Sequence, residues 1–300
     1  MTKSPLKLAR MALSVARESI PAYSSKFSPR RSTQHQLFAL LALRESLKVD
    51  YRGLEQILRE WAELREVLGL EGVPDHSTVQ KAAERLLEKG GVADLLRGTV
   101  RRGHARRLIP PRPRAAIDAT GYETRHVSRY FAWRSGKRRQ RSWPKLTAVL
   151  ETESHLLLSA RVSRGPGQDS PQFRPAMKAA ADHGPIDTAL ADGAFDAEHN
   201  HAYARERLGI RSTVIPLNRR NSGRKWPKTR YRRQMVKRFR RKPRGSRHRR
   251  VHGQRWQIES GFSRDKRLLG SALRARRWPN QKREVLMRVL THNLMLLAAA

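Results

Sequence analysis

The sequence of 300 residues contains no cysteine. Disulfides, thiolate metal sites and cysteine nucleophiles are therefore excluded, and the composition suits a reducing cytoplasm. Long apolar runs are missing as well, so we expect no membrane-spanning segment, no secretory signal peptide and no membrane partner. Hydrophobic residues still make up 38% of the chain, which is enough to form a buried core and argues against wholesale disorder.

Acidic residues are also scarce. The chain has 26 Asp and Glu against 64 Lys and Arg, which gives a formal net charge of +38. Such an excess opposes compaction by self-repulsion unless a polyanion screens it, and nucleic acid is the usual polyanion. A GC-rich coding sequence that favours arginine codons would give the same excess without a partner. We expect a nucleic-acid-binding protein, located in the cytoplasm and associated with the nucleoid.

The N-terminal third of the chain predicts helices. Residues 1–30 contain three prolines, and we expect them to form an irregular basic arm that precedes the helices. Residues 31–108 predict a helical domain, because leucines recur at helical spacing through residues 33–68. Asp75 or Ser77 is placed to cap a further helix. This arrangement is typical of a helix-turn-helix DNA-binding domain, and equally of a plain helical bundle.

The pattern changes after a proline-rich linker at residues 109–114. Short apolar runs bounded by turn residues predict strands, and amphipathic stretches between them predict helices. The predicted strands are residues 115–119, 145–151, 156–162, 187–191 and 210–215, and the predicted helices are residues 172–183, residues 197–208 and a last helix that carries Glu259. This alternation predicts an α/β fold with helices on both faces of a sheet.

Residues 219–250 form a strongly basic segment, with seventeen lysine and arginine residues and no acidic residue. Blocks of like charge are usually flexible on their own. Three interleaved aromatic side chains suit stacking on bases. These are Trp226, Tyr231 and Phe239. We expect direct DNA contacts in this segment, with Trp226, Arg219 and Arg220 as candidates, and the alternative is a solvated basic loop.

Two aspartates follow short apolar runs. Asp118 and Asp192 each lie at the end of a predicted strand, and strand ends of open α/β sheets are where ligands collect. Small residues after each acid leave room beside the backbone. Either acid alone could equally be a turn former or a helix cap.

A third acid, Glu259, lies among cations. His252, Arg255 and Lys266 are placed at intervals of three, four and seven residues along the chain, so that all four side chains would share one face of a helix. Cations around a carboxylate lower its pKa and keep it ionised. That suits a metal ligand, while the cations themselves suit phosphate; the alternative is a salt-bridge partner only.

Three such acids would hold hard cations such as Mg²⁺ or Mn²⁺, which prefer carboxylate and water oxygens. Two ions together can activate the attacking oxygen and stabilise the leaving oxygen in a displacement at phosphorus. These residue types therefore point to chemistry on a phosphodiester.

In these motifs the chain resembles insertion-sequence DDE transposases, whose signature is Tyr-x2-Arg-x3-Glu-x6-Lys. Arg255, Glu259 and Lys266 match three of the four identities, and His252 stands at the tyrosine position. A histidine can still donate a hydrogen bond to phosphate, so we expect a weaker DNA contact there.

The resemblance extends to the first two acids, in Asp118-Ala119-Thr120-Gly121 and Asp192-Gly193-Ala194-Phe195, and covers roughly residues 115–300. It implies an RNase H-like mixed sheet flanked by helices, after an N-terminal α-helical DNA-binding domain. It also implies that residues 109–300 form the catalytic domain, with a basic insertion at about 218–250.

The resemblance further implies metal-dependent cleavage and strand transfer at insertion-sequence ends. The implied partners are double-stranded DNA, as terminal inverted repeats and target, and a second copy of the chain; the implied cofactors are two Mg²⁺ or Mn²⁺ ions. The implied catalytic and metal-binding residues are Asp118, Asp192 and Glu259, and the implied DNA contacts of the signature are His252, Arg255 and Lys266. Two alternatives stay open: a non-catalytic DNA-binding protein derived from such an enzyme, and a stand-alone nuclease of the same fold.

Overall fold

A computed structural model describes residues 1–27, 30–88, 90–124, 142–218, 226–240 and 247–300. The chain forms two compact units. Unit 1 comprises residues 1–105, 122–140 and 265–300, and unit 2 comprises residues 106–121 and 141–264. The predicted functional domains, 1–30, 31–108 and 109–300, divide the chain differently and stay a prediction. Within the described ranges, no helix is both long and apolar enough to cross a membrane.

The described residues form twelve α-helices and seven strands. In chain order the helices are α1 (Pro5–Ser19), α2 (Gln34–Leu47), α3 (Tyr51–Glu60), α4 (Ala62–Leu68), α5 (His76–Leu86), α6 (Gly91–Ala105), α7 (Phe173–Ala181), α8 (Glu198–Ala202), α9 (Arg230–Arg240), α10 (Arg247–Gly253), α11 (Trp256–Leu269) and α12 (Trp278–Leu297). The strands are β1 (Arg114–Gly121), β2 (Glu123–Thr124), β3 (Trp143–Glu151), β4 (Leu157–Gly165), β5 (Thr188–Leu190), β6 (Ser212–Val214) and β7 (Ala272–Leu273). Short 3₁₀ turns cover Ser170–Gln172 and Gly193–Phe195, and a π-helical turn, Tyr203–Arg207, continues α8.

The first helix corrects the prediction of an irregular arm over residues 1–30. Residues Pro5–Ser19 form α1, and the Ser4 hydroxyl at its start accepts a hydrogen bond from the Lys7 N–H at 3.3 Å. Pro5 does not break this helix, because at the first helical position it has no N–H to lose and its φ angle is already helical. An apolar face of α1 packs against α2 and stabilises the helix.

The helical prediction for the next segment of unit 1 is confirmed, with breaks. Residues 33–68 form three helices, and Thr33 begins the first of them with a capping box. Lys48 ends that helix in the left-handed region, at φ 58°. Asp75 caps α5 as predicted, accepting a hydrogen bond from the Ser77 N–H at 2.8 Å. Whether these helices read bases stays a prediction.

The main sheet lies in unit 2 and has the strand order β4-β3-β1-β5-β6. β1 pairs antiparallel with β3, and β3 antiparallel with β4, while β5 and β6 continue the sheet in parallel with β1. This combination of order and direction is that of an RNase H-like sheet, so the predicted fold class is confirmed. The five predicted strands all form, with ends that differ by a few residues.

Helices cover both faces of this sheet. On one face, the Ser159 hydroxyl of β4 donates a hydrogen bond of 2.8 Å to the Ala176 carbonyl of α7. On the other, α11 approaches β3 so closely that a Cβ atom at Gly261 would lie 2.7 Å from Leu150 Cδ1. Leu150 pairs with Ala116 of β1, two residues before Asp118, so these side chains share the face that α11 covers.

The close approach at Gly261 gives a testable prediction. Replacing Gly261 by Val places a branched side chain against buried Leu150, so we expect the free energy of unfolding to fall by about 1–3 kcal/mol. Urea denaturation of the purified protein measures this. A Cβ atom at Gly72 would meet no heavy atom within 4 Å, and the φ of Gly72 lies outside the left-handed region, so Gly72→Val is the matched control. Equal stability of the two variants would contradict the packing described.

Candidate active site

Asp118 lies on the central strand of the sheet. The prediction placed it at a strand end, but β1 continues to Gly121, because its antiparallel pairing with β3 runs as far as Lys145. The parallel pairing with β5 stops earlier, at Ala116↔Leu190, so Asp118 lies beyond the parallel part of the strand. Its side chain is 19% exposed, and its Oδ1 accepts a hydrogen bond from the Ala119 N–H at 2.8 Å.

Asp192 lies just past the end of the neighbouring strand, β5. It follows Leu190 of β5 by two residues, as Asp118 follows Ala116 of β1, and Ala116 and Leu190 are register partners. Alternation along the strands therefore directs both aspartates to the same face. Asp192 also begins the Gly193–Phe195 turn, where its Oδ1 accepts a hydrogen bond from the Ala194 N–H at 2.8 Å.

Glu259 lies in the first turn of α11, where the helix dipole favours an acid. The preceding residue, Ile258, is fully buried and anchors this turn in unit 2. Arg255 Nη1 donates a hydrogen bond of 2.5 Å to Glu259 Oε1 and lies 3.9 Å from Asp118 Oδ2. One guanidinium group thus links the strand acid to the helix acid.

The predicted single helix through the signature residues is interrupted. His252 belongs to α10, which ends at Gly253, and Arg255 lies in the turn before α11 begins. Glycine is unfavourable inside a helix, and it ends this one. The His252 ring packs edge-on against the Phe239 ring, with centroids 5.1 Å apart.

The remaining predicted DNA contacts are placed differently from one another. Lys266 lies on α11 but in unit 1, and its Nζ lies 5.5 Å from the centroid of the Tyr122 ring. Trp226 is 52% exposed. Arg219 and Arg220 fall outside the described residues.

One aromatic residue of the basic segment is not available to bases. Tyr231 is 5% exposed, and its hydroxyl donates a hydrogen bond of 2.6 Å to Glu206 Oε1. Tyr231 therefore does not take the stacking role that the aromatic interleaving suits, and the prediction for Trp226 is untouched by this. Its partner is an acid distant in sequence, which no local pattern reveals.

The acids affect one another electrostatically. Burial is the main cause that raises the pKa of Asp118 from 3.8 to about 6, and the Asp192 and Glu259 carboxylates add to the rise. The Ala119 N–H and the Arg255 guanidinium oppose it. Asp192 and Glu259 are thus close enough to Asp118 for their charges to disfavour its ionised form, and the three acids are called here the carboxylate cluster.

The donor set of the carboxylate cluster fits Mg²⁺ or Mn²⁺, since all its ligand atoms are carboxylate oxygens. A cation there would also offset the repulsion that, after burial, adds to the raised pKa of Asp118. The ligand atoms of the carboxylate cluster do not all lie within 4.8 Å of one another; in the described part of the chain, the only three-residue group that meets this distance is Glu55, Asp75 and His76. In that group Arg59 and the His76 N–H already occupy the Glu55 oxygens, as a helix-capping network does.

Sequence reasoning missed a second set of acids near Asp192. Asp196 binds the Arg232 guanidinium with both oxygens, at 3.0 and 2.8 Å. Asp169 pairs with Lys145 at 2.5 Å and makes no capping hydrogen bond. The one available signal was the scarcity of acids, which favours the pairing of each acid with a particular cation.

Comparison with known proteins identifies the class to which this fold and site belong. The family described as Transposase DDE domain matches residues 109–294. The chain therefore belongs to this family and is an insertion-sequence DDE transposase. Membership implies DNA binding, and enzymes of this kind generally use divalent metal ions. No curated protein matches the chain.

The raised pKa of Asp118 predicts a pH-dependent stability. Between pH 3.8 and about 6 the folded state binds more protons at this group than the unfolded state, so stability falls as pH rises. Asp118→Asn removes this loss. As pH rises from 4 to 7, we therefore expect the free energy of unfolding of the variant to increase by about 2 kcal/mol relative to that of the wild type. Urea denaturation in EDTA at the two pH values measures the gain. If the relative stability of the variant does not increase, the account of Asp118 as a buried carboxylate near other negative charges is contradicted. Asp182→Asn, at a side chain that is 54% exposed, is the control.

Proposed function

We propose that this transposase cleaves DNA at the ends of its insertion sequence and joins the freed 3′ ends to target DNA. The catalytic residues in this proposal are Asp118, Asp192 and Glu259. The observation that carries it is that the two aspartates each lie two residues after the register partners Ala116 and Leu190, with Glu259 linked to Asp118 through Arg255. Two strands and a packed helix fix the acids rigidly, as a preorganised site requires.

The carboxylate cluster would hold two Mg²⁺ or Mn²⁺ ions. Bound ions would activate the attacking oxygen and stabilise the leaving oxygen in the displacement at phosphorus. The chain supplies oxygens whose positions are set by hydrogen bonds from the backbone, at Ala119 for Asp118 and at Ala194 for Asp192. These bonds leave the second oxygen of each aspartate available for a cation.

Arg255 has two partners in succession in this proposal. Without DNA its guanidinium neutralises Glu259 and Asp118. Cations bound there would take over that neutralisation and would free the planar guanidinium for a phosphate, which it can bind with two parallel hydrogen bonds. Lys266 and, more weakly, His252 are further proposed DNA contacts.

The wider arrangement follows from the same proposal. Terminal inverted repeats and target DNA are the substrates, and two copies of the chain act together on DNA. The helices within residues 31–108 and the basic insertion at about 218–250 are the proposed DNA-binding parts, with Trp226, Arg219 and Arg220 in the insertion. We place the protein in the cytoplasm, on the nucleoid.

Substitution of each acid tests the catalytic assignment. We expect Asp118→Asn, Asp192→Asn and Glu259→Gln each to lower Mg²⁺-dependent cleavage of a duplex carrying the inverted repeat by about 10³-fold, because each removes one charged ligand. Single-turnover cleavage on sequencing gels measures this, and strand joining is scored in the same reaction. Asp182→Asn, at an exposed acid of unit 2, is the control and should retain wild-type rates.

The outcomes distinguish the alternatives. Full cleavage by the Asp192→Asn variant would overturn the assignment of the acids. Cleavage without any joining would indicate a stand-alone nuclease. Binding without either reaction in the wild-type protein would indicate a non-catalytic DNA-binding protein.

The role of Arg255 has its own test. We expect Arg255→Gln to slow single-turnover cleavage by about 10–100-fold, as loss of a supporting charged contact commonly does, while metal-free DNA affinity changes much less. Arg267→Gln removes one positive charge from an exposed position of α11 and is the matched control. Equal rates for the two variants would contradict a particular role for Arg255.

A further inference from the structure

We propose that α9 (Arg230–Arg240) is a DNA-backbone-binding element, docked onto the turn that follows Asp192 and presenting Arg230, Arg233 and Lys237 to phosphates. This inference rests on DNA as the substrate of the proposed function and deepens it, since it assigns a defined surface within the basic insertion. These three residues are called the cationic face below.

The N-terminus of α9 is held by an acid from α8. Glu198 Oε1 accepts a hydrogen bond from the Tyr231 N–H at 2.9 Å, and its Oε2 accepts one from the Arg232 N–H at 3.0 Å. These are backbone donors that a helix start otherwise leaves unpaired. A carboxylate there also complements the helix dipole. Glu198 therefore fixes where α9 begins, although the acid and the helix start lie far apart in sequence.

A second acid holds the same end of the helix. The Asp196 side chain is 1% exposed, and its two oxygens accept hydrogen bonds from Arg232 Nε and Nη2. Asp196 Oδ2 also accepts a hydrogen bond from the Asn218 N–H at 2.9 Å. A two-pronged pair of this kind fixes orientation as well as distance.

One face of α9 is buried in unit 2. Tyr231, Met235 and Val236 are each less than 9% exposed. The Arg205 guanidinium lies 4.8 Å from the Tyr231 ring centroid and donates a hydrogen bond of 3.0 Å to Gln234 Oε1. The helix is thus packed by apolar and polar contacts, in contrast to the flexible segment that its charge predicts.

The opposite face carries positive charge, and one of its cations, Arg230, lies with its guanidinium 5.2 Å from the Tyr231 ring centroid. Arg230, Arg233 and Lys237 are exposed and lie three and four residues apart, which places them on one side of the helix. In the part of the chain that the structure describes, none of them forms a salt bridge, whereas two exposed cations elsewhere in unit 2 do: Lys178 with Asp182, and Arg211 with Asp187.

Like charges at this spacing repel, so the cationic face lowers the stability of the helix that carries it. Two of the scarce acids, Asp196 and Glu198, nevertheless hold that helix in place. In the described part of the chain, no acid forms a salt bridge with the cationic face. A polyanion with regularly spaced charges is the partner that such a face fits, and duplex DNA offers phosphates of this kind.

The docking also fixes the helix relative to Asp192. Asp192 begins the Gly193–Phe195 turn and Asp196 ends it, with the Asp196 N–H donating to the Gly193 carbonyl at 3.2 Å. The same short turn therefore carries a proposed metal ligand, Asp192, at one end and the acid that binds α9, Asp196, at the other. Phosphates bound to the cationic face would therefore have a fixed position relative to the carboxylate cluster.

The salt dependence of DNA binding tests the proposal. Fluorescence anisotropy with a short duplex of arbitrary sequence suffices, because phosphate contacts do not depend on sequence. In EDTA we expect the Arg233→Gln/Lys237→Gln variant to reduce the slope of log affinity against log salt by about 1.8, which corresponds to two lost phosphate contacts. The matched control, Lys178→Gln/Arg211→Gln, loses the same two charges and should keep the wild-type slope.

Two results would overturn the proposal: an unchanged slope in the Arg233→Gln/Lys237→Gln variant, or an equal reduction in the control, which would mark a general effect of net charge. Because the assay contains no metal and scores no cleavage, it is independent of the catalytic assignment. Failure of the proposed chemistry would leave this slope difference intact.

Limited proteolysis gives a second measurement on the unsubstituted protein. Trypsin cuts after exposed Arg and Lys, so bound duplex should slow cleavage after Arg233 and Lys237 several-fold, while cleavage after Lys178 and Arg211 continues. Mass spectrometry of the early fragments reports each bond. Equal cleavage after Arg233 and Lys237 with and without saturating duplex would contradict the proposal.

Discussion

Repulsion among three carboxylates is the constraint on which the rest of the site depends. Asp118 and Asp192 are brought to one face by strand pairing, and Glu259 joins them from a helix that packs on the same face. Bringing negative charges together is unfavourable, and it contributes, after burial, to the raised pKa of Asp118. The fold tolerates it because Arg255 supplies a counter-charge and because a sheet and a tightly packed helix leave the acids little freedom to separate.

The same logic explains how the few acids of this chain are used. Against 64 basic residues, 26 acids cannot neutralise the surface, and many are placed where one carboxylate fixes a structural element. Asp196 and Glu198 bind the N-terminal turn of α9, and Asp75 caps α5. A large excess of positive charge remains, and membership of the family implies DNA as a partner.

Much of the fold could be predicted from local pattern. The apolar runs before Asp118 and Asp192 are strands, and both acids follow the part of these strands that is paired in parallel, as their position after the runs predicts. The extent of β1 could not be predicted, because its last residues are held by β3, a partner that only the folded chain brings near. Pro5 was misleading for a related reason: the same residue breaks a helix in its interior and begins one at its first turn.

The signature helix shows the limit of spacing arguments. Residues 252–266 have helical periodicity, yet Gly253 ends one helix and Arg255 precedes the next. The interruption places Arg255 in a turn, from which it contacts both Glu259 and Asp118. Similarly, the charge of the basic segment predicted flexibility, while buried Tyr231, Met235 and Val236 hold its helix in place. In both cases the decisive contacts are distant in sequence.

The central claim is that the carboxylate cluster exists to hold cations. Anomalous X-ray scattering from crystals of the protein soaked in Mn²⁺ tests it most directly. The account predicts manganese peaks within bonding distance of Asp118 and Asp192 oxygens, with the Arg255 guanidinium no longer between Asp118 and Glu259. Manganese bound only elsewhere, with the Arg255 bridge intact at saturating Mn²⁺, would contradict it.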